Sequence, residues 1–437
     1  MFDLPKYGDG LCLARLAALL DALNIDRARL QRISVVVTGS NGKGSTAAMC
    51  AGIGHAYGLR TGLFTSPHLL RFNERIQVDG VEIGDDALTR LKLRVEAAVA
   101  IVSKKMGEKF GAFEALFALA CLHFQESNCD FAVFEAGIGG RYDPVRLVGA
   151  RETCVTSIDY EHVELLGNTL ELIVSDKSDA CAAGTIVYGE NCRDLRPHLL
   201  EYNRLPGRTS LFIRDEIAVD NEDAAAAGQH FDFKFGSHDF RQIELSLPGA
   251  FQISNSAIAI TLFLLWLQRE QPRKALDRIE AAIRAGLRDV RWPGRLEVIR
   301  HDPLTVIDVG HTPDSIRQSL ASLMSIHGRS GWILVTGVSH DKKADEIIGA
   351  LAPSFDTIIC TAAHHKGAEA QVIATAARRG NPTANIHIAA TIADAARLSQ
   401  EMARRQKRRV YVAGGLFLAV EYATVVKGGR AEDLEFF

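Results

Sequence analysis

The sequence has no apolar run long enough to cross a bilayer. The longest, around Ala257–Leu267, falls short of the ~20 residues a spanning helix needs, and Asn255, Ser256 and Thr261 suit a buried helix better. Met1–Gly10 has no basic start followed by an apolar stretch, so no secretory leader is expected. Neither sign of charge is in excess. The net charge is −3, with acidic and basic residues mixed along the chain, which argues against a nucleic-acid groove or an anionic membrane surface as partner. None of the eight cysteines stands at a short paired spacing, so they read as reduced, mostly buried thiols of a cytoplasmic protein, not a metal or disulfide framework. There is no internal repeat, and no low-complexity stretch beyond Ala224–Ala227. What remains is a globular composition, 47% apolar and 24% charged, in 437 residues, too many for one ordinary core.

Strand-like and helix-like patterns alternate, the mark of an α/β protein with parallel sheets. Ile33–Thr38, Thr61–Thr65, Phe131–Glu135 and Cys154–Ile158 read as strands, and Lys43–His55, Asp85–Lys105 and Phe113–Ser127 as helices. From Leu211 to Leu247 the pattern loosens into short alternating stretches, expected to form a small antiparallel piece at the edge. After Trp292-Pro293-Gly294 the alternation begins afresh, with strands at Thr305–Val309, Trp332–Thr336, Thr357–Cys360 and Arg409–Val412 and a helix at Ile392–Gln406. A Pro-Gly break followed by a new βα series predicts a domain boundary, residues 1–292 against 293–437.

The chemistry is clearest between the first strand and the first helix. Thr38-Gly39-Ser40-Asn41-Gly42-Lys43-Gly44-Ser45-Thr46 follows a β-branched run and opens a small-residue helix. Glycines let backbone N–H groups turn toward a phosphate, and the helix N-terminus adds its positive end. Lys43 can reach the terminal phosphates, and Ser45 or Thr46 lies where a hydroxyl could help to hold magnesium. The spacing is shorter than in the Walker A pattern, and Gly44 intervenes between Lys43 and Ser45.

In this shortened form the loop resembles that of the Mur ligase superfamily, in particular its folylpolyglutamate synthase and dihydrofolate synthase branch. Further blocks match in order: Thr65-Ser66-Pro67-His68-Leu69, Phe72-Asn73-Glu74-Arg75-Ile76, Phe134–Arg141, His162 with Leu166-Gly167 and Lys177, Trp292-Pro293-Gly294-Arg295-Leu296-Glu297, and Asp308 with His311. The resemblance runs from about Leu11 nearly to the C-terminus. It implies a two-domain Mur-ligase-like α/β fold: an N-terminal P-loop ATPase domain with a parallel sheet, and a smaller Rossmann-like C-terminal domain.

The same resemblance implies roles. Ser66 and Glu135 hold the magnesium bound to ATP, and Glu135 and His162 touch a second ion. Lys177 is a lysine that the superfamily often carries as a metal-binding carbamate. An ordinary helical lysine between Asp176 and Asp179 is the alternative, because SDKSDA differs from the family's usual neighbours. Arg295 can swing toward the γ-phosphate as the domains close. Asp308 is implied to contact the nucleotide ribose or base, and His311 the phosphates or the incoming amino acid. Asn255 resembles the asparagine of the family's Q-x-x-N helix start near the nucleotide, with helix capping by Ser254 or Asn255 as the alternative.

The implied activity is ATP-dependent amide ligation, with L-glutamate as the amino acid and a folate-type carboxylate as the acceptor. The expected partners are these small molecules, ATP and two magnesium ions, acting on a monomer, with neither nucleic acid nor membrane. Departures cluster near the acceptor and amino-acid positions: Val145 and Arg146 replace a Thr-Asn pair, Thr312 an asparagine, Glu161 an aspartate, Phe251 a histidine, and Gly414-Gly415 a glycine-serine. A ligase that uses another small carboxylate therefore stays open, as does a P-loop phosphotransferase or nucleotide-binding regulator.

Overall fold

The computed structural model describes every residue except 1–3, 6, 7, 11, 205, 206, 226, 227, 272–275, 341–343, 435 and 437. The Ala224–Ala227 run thus lies partly outside the described residues.

Strand β1 (Ser34–Thr38) runs through the middle of the first sheet, buried along its whole length. Its valines alternate between two cores: Val35 and Val37 face one layer and Val36 the other. A strand covered on both faces needs such a continuous apolar run. The sheet is completed by β2 (Thr61–Phe64), β3 (Ile76–Val78), β4 (Val81–Glu82), β5 (Phe131–Glu135), β6 (Glu152–Val155), β7 (Gly184–Tyr188) and β8 (Arg208–Phe212), in the order β4-β3-β2-β5-β1-β6-β7-β8. All neighbours from β2 to β8 pair in parallel, and β3 and β4 close one edge antiparallel.

Leu211 belongs to β8 of this parallel sheet, so the antiparallel piece is smaller than its sequence pattern suggests. It comprises β9 (Ala218–Ala225), β10 (Gly228–Phe235) and β11 (His238–Leu245). Phe231, Phe233, Phe240 and Ile243 of this piece bury themselves in the same core as Val35 and Val37. The apolar run around Ala257–Leu267 lies inside a longer helix, Phe251–Glu270. At 20 residues that helix is long and apolar enough to cross a membrane by length and composition, but 78% of the apolar window is buried inside the protein. Ser256 and Thr261 satisfy their hydroxyls on the carbonyls of Ile253 and Ala257 within the same helix.

The second sheet contains β12 (Glu297–His301), β13 (Leu304–Ile307), β14 (Trp332–Thr336), β15 (Thr357–Cys360), β16 (Asn385–Ile388) and β17 (Arg409–Ala413), ordered β12-β13-β17-β14-β15-β16. Only β12 runs antiparallel. Again the central strands feed two cores: Trp332 and Leu334 point into one, Ile333 and Val335 into the other. Two such doubly covered sheets give the two-domain α/β architecture. All eight cysteines are free, and seven of them are buried.

Candidate active site

In open α/β sheets ligands gather beyond the carboxyl ends of the strands, where the strand order reverses. β1 is flanked by β5 and β6, so the loops that follow these three strands meet there. Gly39 (φ +136°) and Gly42 (φ +84°) carry the backbone through left-handed conformations into helix Lys43–Ala56. A Cβ on Gly39 would lie 1.9 Å from Thr156 Oγ1, which shows how closely the chain after β6 embraces the loop.

That embrace is polar. The Asn41 N–H donates to Ser157 Oγ at 2.8 Å, and the Thr156 and Ser157 hydroxyls both donate to the Asn41 carbonyl, at 2.6 and 3.0 Å. The Asp159 N–H donates to Ser40 Oγ at 3.0 Å. The stretch after Val155, read from the sequence as a continuing strand, leaves the sheet to form this clamp.

Two further contacts explain small residues in the loop. Asn255, at the start of helix Phe251–Glu270, sits where a Cβ on Gly42 would be, 2.6 Å from its Oδ1, and its own amide donates to Gln252, which in turn donates to Ser45 Oγ at 3.2 Å. A Cβ on Gly44 would fall 2.7 Å from the indole of Trp292 in the linker between the domains. The glycine that interrupts the Lys-Ser pair thus makes room for the linker. Gly44→Ala is expected to cost about 1–3 kcal/mol through overpacking. A lowered melting temperature with altered Trp fluorescence would show it, and an unchanged melt would refute the contact.

Charged groups surround the loop. Lys43 Nζ donates to the carbonyls of Gly39 and Ser40, at 2.9 and 3.1 Å. Glu135, ending β5, is 3% exposed and accepts the Ser66 N–H at 3.0 Å. Burial pushes its carboxyl up to about 7, against the pull of Lys43, the Ser66 N–H, Arg295 and Arg75. Asp143 takes the N–H groups of Gly137, Ile138 and Val145, and burial raises it to about 6 despite them. Glu74 gathers the N–H groups of Leu69, Leu70 and Arg71 at 2.7–2.8 Å, fixing the loop after Ser66, while Arg75 Nε donates to His68 Nδ1.

Lys177 is 1% exposed, and its Nζ donates to Glu161 at 2.6 Å and to the Gly39 carbonyl at 3.0 Å. Burial would raise Glu161, but Lys177 and Lys43 hold it down at about 2. Unmodified, Lys177 thus pairs with the Glu161 carboxylate beside the phosphate loop. Asp176, beside it, accepts the Gly140 N–H at 2.9 Å. His162 is exposed, in a left-handed conformation, at the start of the short helix Val163–Leu166.

The other domain supplies the far wall. Asp308 is fully enclosed, its oxygens taken by the N–H groups of Gly310 (2.8 Å) and Leu296 (3.1 Å). Those bonds tie the linker to the end of β13. Arg295 lies within electrostatic reach of both Glu135 and Asp308. His311 is exposed just beyond, its Nδ1 3.4 Å from the Val309 carbonyl. Thr312 Oγ1 donates to Asn41 Oδ1 at 3.3 Å, across the two domains. Val145 is buried in the core, while Arg146 is half-buried and donates from one nitrogen to the Arg141 carbonyl.

The Glu135 carboxylate, desolvated and holding only one backbone N–H, from Ser66, suits a hard cation. Among the described residues no three His, Cys, Asp or Glu side chains converge on one point.

A clamped phosphate loop, a linker arginine and a second α/β domain across the cleft define an ATP-dependent carboxylate–amine ligase of the Mur type. Residues 294–416 match the family model described as Mur ligase, glutamate ligase domain. The chain is 31% identical to the dihydrofolate synthase/folylpolyglutamate synthase of Bacillus subtilis, over 79% of this chain and 80% of that protein. It is also 31% identical to the folylpolyglutamate synthase of Lacticaseibacillus casei, over 81% of each. It superimposes on the Mycobacterium tuberculosis folylpolyglutamate synthase complexed with ADP with a TM-score of 0.87, at 26% identity, covering 98% of this chain and 97% of that one. An FPGS–AMPPCP–folate complex gives a TM-score of 0.79 at 27% identity, covering 98% and 97%. The chain belongs to the folylpolyglutamate synthase/dihydrofolate synthase family.

Proposed function

We propose that this enzyme joins L-glutamate to the carboxylate of a folate-type acceptor through an acyl phosphate, releasing ADP and phosphate. The observation that carries the reading is that Glu135 lies within electrostatic reach of both Lys43 of the phosphate loop and Arg295 of the linker. The folate-bound relative and the relatives' names support the choice of acceptor. Of the departures that suggested another acid, Val145 is buried in packing.

A carboxylate does not condense with an amine in water until one oxygen becomes a leaving group. The backbone N–H groups from Gly39 to Thr46 are placed to cradle the phosphates, with Asn255 packed behind Gly42. Magnesium, held by Glu135 and the Ser66 hydroxyl, supplies positive charge at the phosphates when bound. Lys43 leaves its resting carbonyls to meet the β- and γ-phosphates, and Arg295 approaches from the linker to offset charge as the acceptor carboxylate attacks the γ-phosphate. The glutamate amine then attacks the acyl carbon and phosphate departs. Exposed His311, after β13, and exposed His162, next to Glu161 in sequence, are assigned to the incoming amine and to the phosphates respectively. Lys177, paired with Glu161, holds the Gly39 carbonyl and so the shape of the loop. The domains divide at the linker, residues 1–292 and 293–437, so that closure shields the acyl phosphate from water.

The test is ADP release with ATP, magnesium, glutamate and a pteroate or folate acceptor, together with mass spectrometry of the acceptor. All components are required, and the product is heavier by one dehydrated glutamate. ADP release with glutamate and other acids but never with pteroates would overturn the folate assignment. A phosphorylated product without an amide would overturn the ligase reaction itself.

A further inference from the structure

The backbone N–H and carbonyl of Asn41 are held by three hydrogen bonds with Thr156 and Ser157, yet its side-chain Nδ2 is a buried donor without a hydrogen-bond partner among the described residues. A buried unmet donor is costly and asks for an acceptor. The nearby carbonyls of Gly39 and Ser40 are already claimed by Lys43 and Lys177. The acceptor that suits a phosphate loop is an anionic oxygen of the ligand.

What orients that amide comes from the other domain. Thr312 caps helix Pro313–His327, its Oγ1 accepting the Ser315 N–H at 3.2 Å. The hydroxyl has one proton to give. That proton has two acceptors in reach, Ser315 Oγ at 3.1 Å and Asn41 Oδ1 at 3.3 Å; Ser315 Oγ already receives the Thr312 N–H at 3.1 Å and donates to the Thr312 carbonyl at 2.9 Å, which favours Asn41. An amide accepting at Oδ1 presents Nδ2 on its other side. Asp314 and Arg317 of the same helix lie within electrostatic reach of Asp159 in the clamp, while Ile316 between them packs into the second domain's core.

We propose that Thr312 is a positioning residue that sets the Asn41 amide across the domain cleft so that Nδ2 donates to the phosphoryl group in transfer. The assignment rests on the acyl-phosphate reading above and adds to it a contact formed only when the second domain is docked. It also gives a chemical use to the replacement of the family's asparagine by Thr312: a cap and a donor in one short side chain.

The experiment is a double-mutant cycle on turnover of the full-length enzyme, read as kcat and ATP KM from ADP release. Thr312→Val is expected to lower kcat about 10- to 100-fold, with ATP KM changed less than about threefold because ground-state binding by the loop backbone persists. Thr312→Ser, which keeps the proton, should stay close to wild type. Asn41→Ala should lose at least as much as Thr312→Val, and adding Thr312→Val to it should change kcat by less than about twofold. Thr312→Gly leaves the helix cap nearly as strong while deleting the hydroxyl, so it gives the same readout if the valine variant does not fold. Undiminished kcat in Thr312→Gly, or a Thr312→Val loss that multiplies fully onto Asn41→Ala, would reduce Thr312 to a helix cap. Wild-type turnover is the separate control: if pteroates fail but another acid supports ADP release, the folate reading falls and the cycle is still run with that acid.

Discussion

Lys43→Ala is expected to lower ADP formation by at least about 10³-fold, since it deletes the cation aimed at the charge that builds in phosphoryl transfer. The surroundings enlarge the effect. Lys43 lies within electrostatic reach of Glu135, Asp143 and Glu161, so its loss leaves the carboxylates around the loop less compensated and the site more repulsive to ATP. ATP KM should therefore rise along with the fall in kcat. Lys43→Arg keeps the charge but spreads it over a planar fork in a loop that already grips the lysine ammonium with two carbonyls, and recovers little. Steady-state ADP release at several ATP concentrations, with circular dichroism to show an intact fold, checks this. A variant within tenfold of wild type would remove Lys43 from the chemistry.

The parts of the fold legible in the sequence were the doubly covered ones. Phe131–Glu135, Trp332–Thr336 and Thr357–Cys360 coincide with β5, β14 and β15 to the residue, because strands buried on both faces must be continuously apolar. The strands that escaped are mostly at or near sheet edges. Asn385–Ile388 and Glu297–His301 mix polar and apolar residues because water reaches them, and Val81–Glu82 is too short to show any period. Leu211 looked like part of the antiparallel piece because its partner, β7, lies more than twenty residues away in sequence.

The site divides along the same line. Gly39–Thr46 was legible because strand, glycines, lysine and helix are contiguous, and Arg295 because the linker announces itself. The supports were not. Asp143, Asp176, Glu74 and the Thr156–Asp159 clamp act by receiving or donating backbone hydrogen bonds at positions fixed only in the folded chain. Asp143, Glu74 and Asp176 stood inside or beside quoted motifs, so proximity to a motif was the available signal. Asp308, which the resemblance implies at the nucleotide, is also fully buried and accepts the backbone N–H groups of Leu296 and Gly310, contacts that no sequence pattern announces.

Glu135→Gln is expected to abolish magnesium-dependent turnover, by about 10² to 10³-fold, and at the same time to make the free enzyme more stable above pH 7. The carboxyl is raised from 4.5 to about 7, chiefly by burial. Between those values the folded chain holds a proton that the unfolded chain has released, so stability from this group is greatest at low pH and declines as pH rises through the window. By pH 8 the ionised carboxylate costs about 3 kcal/mol. Glutamine has nearly the same shape and cannot ionise, so the variant should melt above wild type at pH 8 and level with it near pH 5. Magnesium with ATP reverses the order at pH 8, because ligand binding stabilises only the protein that holds it. The same linkage predicts that wild-type turnover at limiting magnesium falls as pH drops below about 7, where metal and proton compete for Glu135, and is restored by added magnesium. Thermal melts at pH 5 and 8, with and without magnesium and ATP, read all of this. A glutamine variant that melts below wild type at pH 8 without ligand would make Glu135 a structural carboxylate and move the metal elsewhere.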